Sequence, residues 1–250
     1  MKNGKLKGSI LILLGVLGLA LFVWVMLDYN QVSDSYFKKF EAGTIYHTRN
    51  VVSPWANFLF FTNQTLIIFS IWCFVVGIAL VFKKDKIKDF ICNINVVSFV
   101  FANCVITTLL YTIMEAFGPC EFGLYEQSLE AWLNFIRNIL IHYVLTIVMA
   151  VIFSKMNCSG RKDKKIIWFA LTYFFAFYTI ARLIGKFCFK YEWYPYLFFH
   201  SKSVWQALNL GPYNQVFAII LMVLIIMAVV ALYFGILFML LRIKTKRSNI

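Results

Sequence analysis

Charge is scarce in this chain of 250 residues: only 14% are Asp, Glu, Lys or Arg, against about a quarter in a water-soluble domain. So little charge cannot cover a surface facing water, which excludes one or two soluble globular domains. Proline and glycine are also few, at 4 and 12, so collagen and low-complexity disorder fall away. The familiar catalytic signatures are missing too. There is no HExxH, no G-x-S-x-G, no phosphate-binding G-x-x-x-x-G-K-[ST] and no paired-cysteine metal spacing. Three histidines are present, His47, His142 and His200. None has a second His or Cys at ligand spacing, so neither a metal nor a cofactor is expected.

What is abundant is apolar sequence. Hydrophobic residues make up 62% of the chain and aromatics 19%, with a mean hydropathy of +0.77. About 20 apolar residues in a helix cross the hydrocarbon core. Six runs reach that length, at residues 9–27, 58–82, 91–114, 135–154, 166–185 and 215–241. They do not alternate in polarity as membrane β-strands would, and in lipid an unbroken apolar run must satisfy its own backbone as helix. The expected fold is an all-α polytopic membrane protein, a single six-helix domain over residues 1–250. The first run follows a basic stretch but has no small-residue cleavage site, and reads as an uncleaved signal anchor.

Orientation follows from Lys and Arg. Sixteen of the 24 lie in the N-terminal segment, residues 83–90, residues 155–165 and the C-terminal segment. Basic loops stay inside, so both termini are expected in the cytoplasm of a multi-pass protein of the cell membrane. The same placement accounts for the net charge of +13: these charges flank spans and meet anionic headgroups, so the expected partners are membrane lipids and not nucleic acid. Outer connections are longer than inner ones, and the last of them, KYEWYPYLFFHSKSVW, is suited to the headgroup region. Cys73, Cys92 and Cys104 fall in the expected spans and Cys158 inside. Cys120 and Cys188 are the outer pair and the one candidate disulfide.

Polar residues within the spans form stripes. Asn103, Thr107, Tyr111 and Glu115 recur every fourth residue, as do Asn134, Asn138, His142 and Thr146. That spacing puts each set on one helical face. Thr62, Asn63, Gln64 and Thr65 open the second span, and Thr172, Thr179 and Arg182 mark the fifth. Much of this has a structural explanation. Thr bonds its own i−4 carbonyl, Asn and Gln join helices, and Glu115, Arg137 and Arg182 at span ends are placed to snorkel. His142 differs, since an ionisable group well inside a span is costly and points to function.

Three short motifs carry a resemblance: Phe60-Phe61-Thr62-Asn63-Gln64-Thr65, Ile141-His142-Tyr143 and Tyr194-Pro195-Tyr196-Leu197-Phe198. Over roughly residues 50–240 the chain resembles a bacterial six-transmembrane family with Phe-Thr-x-Gln-Ser/Thr, His-Tyr-x-x-Pro and Tyr-Pro-Tyr-x-Phe motifs. That family is distantly similar to the androgen-induced and androgen-dependent membrane proteins, which hydrolyse fatty acid esters of hydroxy fatty acids with an intramembrane Thr and His. The resemblance implies Thr62 as nucleophile and His142 as base. Thr146 stands where the pattern has Pro, and Leu66 where it usually has Asn. Supporting or binding roles fall to Asn63, Gln64, Tyr111, Glu115, Asn138 and Arg182. Two functions follow from these residues: hydrolysis or transfer of a lipid ester in an outer-leaflet polar cavity, or non-enzymatic transport or binding of a lipid or small molecule.

Overall fold

The computed structural model describes residues 2–27, 60–117, 129–160, 163, 165–187 and 210–248. Among them the regular elements are helices: α1 (Lys2–Leu27), α2 (Phe61–Val81), α3 (Asp85–Ile91), α4 (Ile94–Phe117), α5 (Leu129–Ile139), α6 (Leu145–Lys155), α7 (Lys165–Phe187) and α8 (Gln215–Ser248). A π-helical segment, Leu140–Val144, joins α5 to α6 without a break. Among the described residues five stretches are long and apolar enough to cross a membrane: Gly4–Leu27, Phe61–Val81, Ile94–Ile113, Phe135–Lys155 and Gln215–Ile243. The chain is an integral, multi-pass membrane protein. The remaining expected span is α7, whose described apolar stretch is the shorter Lys165–Ala181.

The basic segment expected as a plain loop at 83–90 is instead folded around α3, with Asp85 in its first turn and Lys88 in its last. That arrangement complements the helix dipole, and the exposed pair closes to 3.3 Å. The third span begins at Ile94 rather than Ile91. Asn93 ends the helical run because its Oδ1 takes the Asn95 backbone N–H at 2.9 Å, a side-chain bond that competes with the helix ladder. Cys92, expected in a span, therefore lies in the joint between α3 and α4. Asp163 caps α7 through the Lys165 N–H at 2.9 Å, and Asn214 caps α8 through Val216 and Phe217.

α1 and α2 pack antiparallel through small residues. A Cβ on Gly8 would stand 2.8 Å from the Gly77 carbonyl oxygen, and one on Gly15 2.7 Å from that of Ser70. Only glycine permits so close an approach, which is how helices associate where lipid removes the hydrophobic drive. The centre of the bundle is α4, which packs against α2, α6, α7 and α8. Its Val97, Ala102, Cys104 and Ile106 are fully enclosed. Aromatic contacts hold α7 in place: Phe61 meets Phe177 edge-on at 5.4 Å between centroids, and Phe99 meets Tyr173 at 5.5 Å.

Candidate functional site

Successive fourth residues on an α-helix drift by about 40°, so the polar stripe of α4 addresses three neighbours in turn. Asn103 Nδ2 donates to the Tyr233 hydroxyl on α8 at 3.1 Å. Thr107 Oγ1 donates to Thr65 Oγ1 on α2 at 3.2 Å. Tyr111 reaches the π-helical segment, where its ring stacks on His142 with centroids 3.6 Å apart and planes 10° from parallel.

His142 sits at the middle of that segment and is only 8% exposed. Its ring lies against the Thr107 backbone, and its Nδ1 is buried with no hydrogen-bond partner. In a neutral imidazole one nitrogen donates and the other accepts. Buried polar atoms are mostly hydrogen-bonded, so an exception calls for an explanation.

Around the ring, hydroxyls from α4 serve the backbone. A π turn displaces the i→i−4 ladder by one residue: the Leu145 N–H bonds the Leu140 carbonyl. Thr108 Oγ1 donates to the His142 carbonyl and lies 2.7 Å from Thr146 Oγ1. Thr146 in turn donates to the Cys104 carbonyl at 2.8 Å. Two hydroxyl protons are thus distributed over two carbonyls and one oxygen–oxygen contact, and they bind the widened turn to α4. Thr112 and the Tyr143 hydroxyl, 3.2 Å apart, add a further tie.

The expected site residues fall into three groups. Tyr111 and His142 are brought together, and Asn138, half-buried, lies one turn before His142 on α5. Thr62, Asn63 and Gln64 occupy the first turn of α2, with Asn63 buried and the other two half-buried. Gln64 turns toward α7, where its Oε1 accepts from the Tyr173 hydroxyl at 3.1 Å. The side chains of Glu115 and Arg182 lie outside the described residues, as do Cys120 and Cys188. Arg137 corrects the snorkelling expectation. It is 3% exposed, whereas a snorkelling side chain ends in water.

Sequence reasoning missed the roles of Thr65, Thr108 and Tyr233. Thr65 had a visible signal, the run of four polar residues at the start of α2. Thr108 lies one position off the i+4 stripe of α4 and was masked by it. No protein-family model, curated protein or solved structure matches the chain.

Proposed function

We propose that this membrane protein hydrolyses or transfers the acyl group of a lipid ester, with Thr62 as nucleophile and His142 as general base. The observation carrying this reading is the state of His142: buried, oriented by stacking on Tyr111, placed in a π-helical turn, and holding a nitrogen without a partner. π turns recur at functional sites, and a buried ionisable group inside a span is a functional candidate. In support, Thr65, one turn after Thr62 on α2, accepts from Thr107, the α4 residue whose backbone the His142 ring lies against.

Threonine's hydroxyl is a weak nucleophile until a base accepts its proton. In the proposed step Thr62 Oγ1 attacks the acyl carbon as its proton passes to the imidazole. The tetrahedral intermediate then collapses, and the alcohol leaves with the proton returned by His142. Water, or a second alcohol, repeats the sequence in reverse and frees Thr62. Negative charge on the carbonyl oxygen calls for donors, and the amides of Asn63, Gln64 and Asn138 are the candidates. With Tyr173 on the Gln64 oxygen, an oxyanion would be met by the NH2 end of that amide.

The test is turnover of a panel of long-chain acyl esters by the purified full-length protein in lipid nanodiscs. Thr62→Ala and His142→Ala should each abolish it. The double variant should be little worse than either, because residues acting as a unit are non-additive. A well-folded wild type that cleaves nothing, while binding such lipids with losses that add across Thr62 and His142, would establish non-enzymatic binding instead.

A further inference from the structure

At the basic end of the bundle the α3–α4 joint and the α6–α7 loop meet in one parallel β-bridge, between Asn93 and Ser159. Two hydrogen bonds fix its register: Ser159 N–H to the Cys92 carbonyl at 3.1 Å, and Ile94 N–H to the Ser159 carbonyl at 2.9 Å. In a parallel bridge the residues preceding the paired ones are also neighbours, and here those are Cys92 and Cys158. One hydrogen bond thus joins the Cys92 carbonyl to the N–H that follows Cys158, and a disulfide needs a Cα–Cα separation of roughly 4.4–6.8 Å. Both carry thiols rather than a disulfide, that of Cys158 donating to the Met156 carbonyl at 3.9 Å, and each lies within electrostatic reach of the other. The surroundings hold the register further. Ser159 Oγ donates to the Asp89 carbonyl at 2.9 Å, and Gly160, at φ +82°, lets the loop close over the Asn93 amide, where a Cβ would stand 2.3 Å from Nδ2.

We propose that Cys92 and Cys158 are a redox-active dithiol, which a low-molecular-weight disulfide converts to a Cys92–Cys158 disulfide latching the α3–α4 joint to the α6–α7 loop. Exposure sets the order of events. Cys158 is half-buried and Cys92 only 6% exposed, so the oxidant meets Cys158 first. The Cys158 thiolate attacks one sulfur of the oxidant, whose S–S bond breaks and releases one thiol, leaving a mixed disulfide. Cys92 then gives up its proton and attacks the Cys158 sulfur, expelling the second thiol. Two electrons pass from the cysteine pair to the oxidant, and its two released thiols carry the two protons. The product ties together the chain segments that lead into α4 and α7.

The experiment treats the full-length protein in nanodiscs with oxidised glutathione and maps its cysteines by peptide mass spectrometry. The wild type should yield a cross-linked Cys92–Cys158 peptide, two hydrogens lighter than the dithiol and reversed by reduced glutathione. Cys92→Ser should stop at a glutathione adduct on Cys158, and Cys158→Ser should leave Cys92 largely unmodified. A wild type that accumulates the Cys158 adduct while Cys92 stays a free thiol would overturn the proposal. So would a pair that both remain reduced in the folded protein under oxidant that modifies Cys158 once it is unfolded.

Discussion

The ring of Tyr111 on α4 lies flat on the imidazole of His142, 3.6 Å between centroids and 10° between planes. This contact fixes the plane of the ring while leaving its edge, and with it Nδ1, for other chemistry. Stacked aromatic pairs contribute about 0.5–1.5 kcal/mol beyond their burial. Tyr111→Leu should therefore lower unfolding stability by at least that amount, whereas Tyr111→Phe should keep most of it. Steric-trap or denaturant unfolding in bicelles measures the difference, and equal losses for both variants would place the value of Tyr111 in its hydroxyl.

The α1–α2 pairing depends on the absence of side chains. Gly15→Leu drives a side chain into the Ser70–Phe74 backbone and should cost about 1–3 kcal/mol or part the two helices. Gly235 on α8 has no atom within 4 Å of a built Cβ. Gly235→Ala should be neutral or stabilising by up to roughly 1 kcal/mol, as for any unconstrained helical glycine. Matching losses at the two positions would contradict the close approach.

Asn103 and Tyr233 join α4 to α8 by a hydrogen bond between buried side chains. In membranes such bonds average about 0.6 kcal/mol in double-mutant cycles. A cycle of Asn103→Leu and Tyr233→Phe should return a favourable coupling of that order. Zero coupling would mean that each side chain is satisfied equally well without the other.

Cys92 carries a pH prediction. Burial, helped by Cys158 and Asp89 and partly offset by Lys88, pushes its thiol up to about 11. The thiolate is the reactive form. Alkylation of Cys92 in the folded protein should thus climb about tenfold per pH unit through the range around 8 to 10, without levelling off as an ordinary thiol does near 8.5. A plateau near pH 9 would show that Cys92 is solvated.

The membrane class and the helix positions were legible because apolar runs of about 20 residues admit one structure in lipid. Boundaries moved where polar side chains act on the backbone, as Asn93 does at the start of α4. The stripes put Tyr111 and His142 on the polar faces of their helices, but do not say which neighbour each meets, since that depends on rotation of α4 about its axis. The π turn was invisible: one displaced hydrogen bond leaves no trace in hydrophobic periodicity. Arg137 reads as a snorkelling residue from its place at a span end, and only its burial in the folded chain shows otherwise. The glycines of α1 are spaced as a helix-pairing face, a signal present in the sequence but submerged in its apolar background.

The central claim is that Thr62 becomes acylated with His142 as its base. The most direct measurement is mass mapping of the full-length protein in nanodiscs after reaction with a long-chain alkyl fluorophosphonate. The account predicts a covalent adduct on the peptide carrying Thr62, absent in Thr62→Ala and lost in His142→Ala, yet retained in Tyr111→Phe because the stacked ring remains. No adduct on folded wild-type protein, or one on Thr62 that forms as fast without His142, would contradict it.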